Sequence, residues 1–349
     1  MDLFFNIFFP IFLVFFACLS IKLLIIILMH YKIFDIPNKR SNHIYPTPKG
    51  AGLILTLYIC GSIFFYMTQG IIQINLFKEI TILMLVLSIF SFIDDLYSIS
   101  FLKKLLFQIL IISLGTYLLN SKINLFCSST YNSLSWIMNY EFYKNFIRII
   151  IFVFWMWILN LFNFMDGIDG LTASQVLTFN IGLICLSTLG QINENFSHVG
   201  IIVFAIYLGF LYYNKPPAKI FLGDSGSISI GFFIGGIIII TFLEHKNFIS
   251  LFILILYYLF DTTLTLLRRF VDKQNIFSAH SQHFYQKKVR NGFSHALVLN
   301  KIIFINILLI IPSLNYFNSP FFCIIVSVLM VIYLLIWLGS QKKNTNANK

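Results

Sequence analysis

The sequence predicts an all-α polytopic membrane protein with about 11 transmembrane helices. Three observations lead to this fold class: 58% of the 349 residues are hydrophobic, only 11% are charged, and the mean hydropathy is +0.87. Because soluble domains carry about 25% charged residues, an ordinary globular protein, a disordered chain and a disulfide scaffold are excluded. We expect a single integral-membrane domain over residues 1–349, with a short polar tail at 340–349.

The membrane spans are the apolar runs that are long enough to cross about 30 Å of hydrocarbon, which takes about 20 helical residues. The predicted spans are Leu3–Met29, Ala51–Thr68, Leu76–Ile93, Phe101–Leu119, Phe146–Phe162, Ser174–Leu189, His198–Tyr213, Ser227–Leu243, Phe248–Leu267, Ala296–Pro312 and Pro320–Leu338. The first run lacks a basic n-region and a small-residue cleavage site, so it is predicted to be a retained span. The cysteines form no Cys-x-x-Cys pair, and Cys127 is predicted to lie in a loop.

The basic residues orient the spans. Lys and Arg concentrate in segments 30–50, 94–104, 214–226 and 268–295 and in the tail. Since basic loops stay on the cytoplasmic side of a membrane, the N-terminus is predicted to be periplasmic, the C-terminus cytoplasmic, and the active site to lie on cytoplasmic loops. The net charge of +11 then reflects topology and anchoring to anionic membrane lipids, and no nucleic acid is expected as a partner.

The acidic residues sort by type as well as by side. Every Asp except Asp2 falls on the predicted cytoplasmic side, and no Glu does. Short carboxylates beside glycines suit hard-cation and phosphate chemistry, in which Mg²⁺ takes one or two carboxylates plus phosphate oxygens. The preference of Asp for turns and helix caps is the plainer explanation. It suffices for Asp35 and Asp272, but it explains the paired acids less well.

Two motifs follow the ends of predicted spans. Asp94 and Asp95 are adjacent carboxylates that repel and desolvate each other, which favours a metal or general-base site over a solvated loop start. Segment 160–171 carries Asn, Asn and Asp at every third residue and then Asp-Gly-x-Asp-Gly. This spacing keeps polar groups near one face of a helix end, and the alternative is a glycine-rich connection between helices.

Two further features lie near later spans. Asp224 precedes a predicted helix, whose N-terminus favours anions; simple N-capping is the alternative and is compatible with a functional role. Asp261 lies within an apolar run and is followed by Arg268 and by two histidines, His280 and His283. No Cys or third clustered His supports zinc, so pyrophosphate contact or proton transfer suits the histidines better. For Arg268 and Arg269, contact with phosphate and anchoring to the cytoplasmic lipid face are equally good explanations.

Taken in order, these motifs resemble one family, the polyprenyl-phosphate N-acetylhexosamine-1-phosphate transferases of glycosyltransferase family 4. Segment 35–50 matches the family's D-x-P-N-x-R-S-x-H-x-x-P-T-P-[RK]-G pattern, Asp94-Asp95 is followed by Lys104 and Gln108, and segments 160–171 and 221–227 match N-x-x-N-x-x-D-G-x-D-G-L and F-L-G-D-x-G-S. The last motif departs, because Gln282 replaces the middle His of the family's H-x-H-H. With Gln at this position, the last motif is closer to that of the branch that initiates O-antigen synthesis. The same difference argues against the peptidoglycan translocase.

The resemblance implies a role for each motif residue. Asp224 would be the ligand of Mg²⁺, with Mn²⁺ as the alternative cation. Asp94 and Asp95 would be catalytic and lie near the lipid phosphate. Phe221 would stack on uracil, and His280 and His283 would contact the pyrophosphate or the sugar. The other residues implied for the nucleotide pocket are Asn163, Asp166, Asp169 and Asn214.

The implied activity is a Mg²⁺-dependent transfer of sugar-1-phosphate from a UDP-N-acetylhexosamine to undecaprenyl phosphate, with release of UMP, in the bacterial inner membrane. A homodimer is left open. The main alternative is a polytopic solute or ion transporter, since intramembrane acids often mark pathways. Its weakness is that the acids cluster at one face and no inverted repeat is evident. An intramembrane aspartyl protease would need glycine where Phe221 stands, and a D-D-x-x-D prenyltransferase would need Asp where Ser98 stands.

Overall fold

The structure, a computed structural model, describes residues 4–37, 42–43, 45–73, 75–131, 139–244, 246–275, 278 and 280–341. After one π-helical turn at Phe4–Phe8, the helices are α1 Phe9–His30, α2 Ala51–Thr68, α3 Asn75–Tyr97, α4 Phe101–Leu118, α5 Asn120–Thr130, α6 Tyr140–Met165, α7 Leu171–Thr188, α8 Asn195–Asn214, α9 Asp224–Leu243, α10 Phe248–Leu254, α11 Leu256–Val271, α12 Phe284–Arg290, α13 His295–Asn315 and α14 Pro320–Gly339. Two short strands, β1 Phe34–Asp35 and β2 Thr47–Pro48, pair in antiparallel fashion.

The prediction of an all-α membrane protein with about 11 spans is confirmed. Within the described ranges, ten helices are long and apolar enough to cross a membrane, and the bent pair α10–α11 makes an eleventh if it is counted as one span. The prediction that Cys127 lies in a loop is wrong, because it is a fully buried residue of α5. Residues 38–41 of the first motif and residues 342–349 of the tail lie outside the described residues.

Helix α9 is the centre of the bundle, and nearly all of its residues are buried. It packs against α2, α3 and α6. Close approach to α6 depends on small residues, as in other membrane helix pairs: a Cβ placed on Gly235 would lie 2.8 Å from Cδ1 of Trp155. The indole of Trp155 stacks on Phe232 and donates to its carbonyl oxygen at 2.7 Å. This packing fixes where α9 begins, and therefore where Asp224 lies.

The span formed by α10 and α11 is bent by 69°. A break inside a membrane frees backbone groups that need a partner in the absence of water. Here the side-chain amide of Gln175 donates to the carbonyl oxygen of Leu254 at 2.8 Å, and Asn306 in turn donates to Gln175 at 2.8 Å. The bend therefore has polar partners built into the core, and it sets the direction of α11.

The first inner loop is attached to the segment that leads into α9. The backbone N–H of Phe221 donates to the carbonyl oxygen of Pro48 at 2.8 Å, and the N–H of Gly52 donates to Leu222 at 2.9 Å. Lys49 forms a parallel bridge with Phe221. Two motifs that are about 170 residues apart in the sequence, at 35–50 and 221–227, are thereby brought side by side.

Candidate active site

A cavity of about 230 Å³ opens where four of the sequence motifs meet. Its walls come from the first inner loop, the last turn of α3, the segment between α6 and α7, and the segment before α9, with one residue each from α12 and α13. The cavity is lined by seven of the ten residues predicted for the site: Asp95, Asn163, Asp166, Asp169, Asn214, Phe221 and Asp224. Asp94, His280 and His283 are not among its lining residues.

Asp95 lies in the last turn of α3 and caps the N-terminus of α9. Its Oδ1 accepts the N–H of Asp224 and its Oδ2 accepts the N–H of Ser225, each at 3.2 Å. The approach requires Gly223, which has φ +78° and whose added Cβ would lie 2.5 Å from Oδ2 of Asp95. Free N–H groups and the helix dipole both favour a carboxylate at this position.

Two lysines neutralise the carboxylates of the site. Lys49 lies 3.7 Å from Oδ1 of Asp95. Lys104 forms an ion pair with Asp94 and lies 3.5 Å from Oδ2 of Asp224. Asp94 also accepts the N–H of Ile99 at 2.7 Å, so its carboxylate is directed toward the α3–α4 turn and Lys104. The two adjacent acids predicted as one site thus have separate partners.

Asp224 is the most open of these carboxylates, with about a third of its side chain exposed (36%). Its Oδ1 accepts from the amide of Asn163 at 3.0 Å, and the same amide donates to Ser227 at 3.1 Å. Among the described residues, no group of three or more His, Cys, Asp or Glu side chains is placed to hold a metal ion. This donor set fits Mg²⁺, which uses one or two carboxylates and completes its octahedron with water and substrate phosphates.

Asp166 lies at the end of α6 and lines the same cavity. Burial raises the pKa of its carboxyl to about 7, and the nearby carboxylates of Asp224 and Asp95 raise the pKa further in the same direction. A carboxyl in this condition changes charge near neutral pH. The protonation of Asp166 therefore responds to conditions close to physiological pH.

Asn214 and Asp169 hold the walls of the cavity together. The amide of Asn214 accepts the N–H of Gly170 at 3.1 Å and donates to the carbonyl oxygen of Ile220 at 2.9 Å. Oδ2 of Asp169 accepts the N–H of Ala218 at 3.0 Å. Both residues line the cavity, but these hydrogen bonds are internal. Their contribution to a binding pocket is first of all to fix its shape.

Phe221 lies in the cavity wall with its ring against that of His43. The ring centroids are 4.9 Å apart and the planes are inclined by 66°. Edge contacts of this kind fix the orientation of an aromatic side chain and leave its face available for stacking. The position is consistent with a ring that stacks on a planar ligand, and the predicted contact with uracil stays a prediction.

Of the two predicted histidines, His283 contacts Asp261 and His280 stacks on His283. Nδ1 of His283 is 3.2 Å from Oδ1 of the fully buried Asp261, which also accepts the N–H groups of Phe284 and Tyr285 and so caps α12. His280 stacks on His283 at 5.0 Å. Burial and the neighbouring positive charges lower the pKa of His280 to about 4, so it is neutral at pH 7. Contact of either histidine with pyrophosphate stays a prediction.

Other motif residues have structural partners. The amide of Asn160 donates to Gln108 at 3.3 Å, which joins α6 to α4. Arg269 is buried and donates to Gln274 at 3.1 Å and to Ser278 at 3.0 Å, so it braces the loop after α11. These contacts give Arg269 a third role beside the two considered for the arginine pair, which is local support of the loop.

Five polar residues that line the cavity were assigned no role from the sequence. They are Asn42, His43, Lys49, Gln286 and His295. His43 and Lys49 belong to the first motif, so the family pattern at 35–50 could have identified them. Gln286 follows the second histidine by three residues. His295 had no signal, because a single histidine at the start of an apolar helix is unremarkable until the structure shows what it contacts.

Comparison with known proteins agrees with this arrangement. The sequence profile of glycosyl transferase family 4 matches residues 77–242. The chain is 26% identical to the "Probable undecaprenyl-phosphate N-acetylglucosaminyl 1-phosphate transferase" of Bacillus subtilis (strain 168), over 85% of this chain and 82% of that protein. It is 24% identical to the "Decaprenyl-phosphate N-acetylglucosaminephosphotransferase" of Mycobacterium leprae (strain TN), over 75% and 71%.

A third relative extends the range of substrates named among similar proteins. The chain is 34% identical to the "Phospho-N-acetylmuramoyl-pentapeptide-transferase" of Prochlorococcus marinus (strain MIT 9215), over 58% of each chain. The segment that matches the family, residues 77–242, contains all seven of the predicted residues that line the cavity. Residues 77–242 thus match glycosyl transferase family 4, and in its sequence the chain is similar to polyprenyl-phosphate N-acetylglucosamine-1-phosphate transferases.

Proposed function

We propose that this protein transfers a sugar-1-phosphate from a UDP-N-acetylhexosamine to undecaprenyl phosphate and releases UMP. The observation that carries the proposal is the convergence of Asp95, Asp166 and Asp224 on one cavity at the ends of membrane helices, with Lys49 beside them. Such a site can hold a polar, phosphate-containing donor next to the membrane surface that contains a lipid acceptor. The names of the relatives support polyprenyl phosphate and a phospho-sugar as the substrates.

In the proposed reaction, a phosphate oxygen of the lipid attacks the sugar-linked phosphorus of the donor. A new P–O bond forms, the bond to the UMP oxygen breaks, and UMP leaves with the electron pair. The second ionisation of a phosphate monoester has a pKa of about 6, so the lipid phosphate is mostly dianionic at pH 7. Catalysis therefore depends more on positioning the substrates and neutralising their charge than on removing a proton.

The residues of the chain divide these tasks. Lys104 and Lys49 carry positive charge at the Asp94–Asp95 end of the cavity, where it can attract the lipid phosphate. Phe221 offers a ring face for the uracil, and Asp169 and Asn214 fix the walls around it. Asn163 orients the carboxylate of Asp224 through a 3.0 Å hydrogen bond. The nucleotide and the lipid phosphate are thus assigned to opposite sides of Asp224.

We assign Mg²⁺ to Asp224, with Mn²⁺ as the alternative. Asp224 lines the cavity, and its carboxylate is more exposed than those of Asp94 and Asp95. When bound there, the cation would neutralise charge on the donor's pyrophosphate. Without a cation, the carboxylates that line the cavity would repel the pyrophosphate.

For the pathway, we propose that the reaction initiates synthesis of O-antigen or a related cell-surface polysaccharide in the bacterial inner membrane. It rests on the last motif, in which Gln282 stands where the family's common form has His. The side chain of Gln282 is half-buried and donates to Gln274 at 3.0 Å. A Gln is accommodated here by a contact within its own loop, which is a local reason for the departure from the common motif.

The test is an assay of UMP release by purified protein in detergent containing undecaprenyl phosphate. UDP-N-acetylglucosamine, UDP-N-acetylgalactosamine and UDP-N-acetylmuramoyl pentapeptide are supplied in parallel, and the radiolabelled lipid product is identified. We expect UMP and a lipid-linked sugar-1-phosphate from at least one of the first two donors. Absence of lipid product with all three donors would contradict the proposed activity and return attention to a transporter.

A further inference from the structure

His295, the first residue of α13, lines the cavity with a side chain that is only 15% exposed. Its position is well defined, because Ser294 caps the helix by accepting the N–H of Leu297 at 3.3 Å. The ring therefore enters the site from a rigid element and not from a loop. No motif quoted for the family activity includes this residue.

Both ring nitrogens of His295 face hydrogen-bond acceptors. Nδ1 lies 3.3 Å from Oδ1 of Asp169, and Nε2 lies 3.0 Å from the backbone carbonyl oxygen of Asn42. A neutral imidazole has one N–H and can donate to only one of them. A carbonyl oxygen cannot donate in return, and an ionised carboxylate cannot either. Both contacts are satisfied together only by the doubly protonated, positively charged imidazolium.

The two acceptors belong to different walls of the cavity. Asn42 is in the first inner loop, and its side-chain amide donates to the carbonyl oxygen of Gly167 at 3.0 Å. Asp169 is in the segment after α6 and also accepts the N–H of Ala218. His295 thus connects the first loop, the segment after α6 and the segment before α9 through charge-assisted hydrogen bonds, which are about twice as strong as neutral ones.

We propose that His295, as an imidazolium, is a positioning residue that holds the first inner loop closed against the nucleotide side of the cavity. The reference to a nucleotide rests on the proposed function, whereas the attachment of the loop by His295 does not depend on it. His295 acts through Asn42 and Asp169 and does not contact the reacting phosphates. Its loss should therefore weaken donor binding and leave the chemical step nearly intact.

The first experiment compares His295→Gln with His30→Gln, a matched change at the exposed end of α1. A Gln amide cannot reach both acceptors and carries no charge. We expect the KM for the UDP-sugar to rise about tenfold or more, as for loss of a charge-assisted hydrogen bond, while kcat changes less than threefold. His30→Gln should match the wild type. A His295→Gln enzyme with wild-type KM would overturn the inference.

The second experiment needs no activity. Hydrogen exchange of residues 42–50 is measured in the unliganded protein as pH rises, with rates corrected for the intrinsic pH dependence. We expect protection to fall as His295 deprotonates, and His295→Gln to show low protection at every pH. Other charged groups line the same cavity, namely Asp35, His43, Lys49, Asp95, Asp166 and Asp224. The pH-dependent loss should accordingly survive in His43→Gln and vanish only in His295→Gln.

These two readouts separate the inference from the proposed function. If the wild type releases no UMP from any UDP-sugar, the proposed function fails, and the exchange experiment still decides whether His295 holds the loop. If UMP is released but loop protection is independent of pH in the wild type and unchanged in His295→Gln, the positioning role is wrong. Should His295→Gln fail to fold, loop protection is compared in the wild type and His43→Gln, and protection that is independent of pH in both overturns the positioning role.

Discussion

The carboxylate of Asp95 accepts the backbone N–H of Asp224, at 3.2 Å, across 129 residues of sequence. The residue predicted as catalytic therefore also caps, from α3, the N-terminus of the helix that begins with the predicted metal ligand. Asp95 cannot be altered without disturbing the position of Asp224. Any loss of activity in an Asp95 variant has two components, which the following comparison separates.

Asp95→Asn and Asp95→Ala should differ in stability more than in turnover. Asn keeps an oxygen that accepts one N–H of α9, whereas Ala removes the cap and should lower the free energy of unfolding by about 0.5–2 kcal/mol. Both should lower kcat more than they raise the KM for UDP-sugar, because the proposed partner is the lipid phosphate. Thermal unfolding and steady-state kinetics of the two variants measure both components. A wild-type kcat in Asp95→Asn would show that Asp95 only caps α9 and takes no part in turnover.

Asp94→Asn removes the ion-pair partner of Lys104 and leaves the cap of α9 intact. Lys104 would then interact with Asp224 alone, which lies 3.5 Å away. We expect kcat to fall while stability changes little compared with Asp95→Ala. An Asp94→Asn, Lys104→Met double variant is the matched test. If its loss in kcat equals the sum of the two single losses expressed as free energies, the ion pair has no joint role.

Asp224→Asn keeps the shape of the side chain and removes its charge. If Asp224 is the ligand of Mg²⁺, most turnover should be lost, and raised Mg²⁺ should restore part of it, because Asn still offers one oxygen. Asp272→Asn is the control, since Asp272 is exposed and its 3.8 Å pair with Arg268 is worth little. UMP release is measured against Mg²⁺ concentration. Unaltered rate and Mg²⁺ dependence in Asp224→Asn would remove Asp224 from the metal site.

Phe221→Ala should raise the KM for UDP-sugar by about five- to a hundredfold, because stacking on a base is worth about 1–3 kcal/mol. Phe221→Tyr should be tolerated, since the ring and its contact with His43 are kept. Binding of UMP to each variant, measured by calorimetry, reports the same stacking without catalysis. A KM and a UMP affinity that do not change in the Ala variant would show that the base binds elsewhere.

Much of this arrangement could be predicted from the sequence, because it depends on local signals. Apolar runs of span length gave helices close to their observed ends, and three-residue spacing brought Asn163 and Asp166 to the cavity end of α6. Their short carboxylates in glycine-rich segments indicated Asp169 and Asp224 as site residues, and both line the cavity. For these residues, the spacing within one segment determines which way the side chain faces.

The remainder depends on contacts between distant segments, which spacing alone does not encode. The partner of His283 is Asp261, on a helix whose direction is set by the bend at Leu254 and the amide of Gln175. A sequence with two histidines three apart gives no indication that one of them faces a buried acid. The same holds for His295, whose two acceptors lie on segments far from it in the sequence.

The orientation in the membrane can be tested at two exposed positions. The basic loops predict that α5 faces the periplasm and that the segment before α9 faces the cytoplasm. Native Cys127 is buried and is a poor reporter. Ser128→Cys and Lys219→Cys are exposed instead, in a background without native cysteines. An impermeant thiol reagent should label Ser128→Cys in intact cells and Lys219→Cys only after lysis. The reverse pattern would invert the predicted topology.

The last prediction concerns the pH dependence of stability that Asp166 imposes. The folded protein raises the pKa of this carboxyl to about 7, whereas in an unfolded chain it is about 3.9. Between these values the native state holds a proton that the unfolded state has lost. Since the slope of the unfolding free energy with pH follows the protons bound by the unfolded state minus those bound by the native state, stability falls as pH rises from about 4 to 7.

Asp166→Asn mimics the protonated carboxyl at every pH and should remove this loss. We expect the variant and the wild type to unfold at the same temperature near pH 4, and the variant to be the more stable above pH 7, although its turnover is reduced. Thermal unfolding in detergent is followed from pH 4 to 8.5, with Asp272→Asn as a control that should track the wild type, because its side chain is exposed. A constant difference between Asp166→Asn and wild type across this range would mean that the carboxyl does not titrate within it. A variant less stable than the wild type at pH 8 would mean that the hydrogen bond from Thr172 stabilises the ionised carboxyl of Asp166 by more than burial and the neighbouring acids destabilise it.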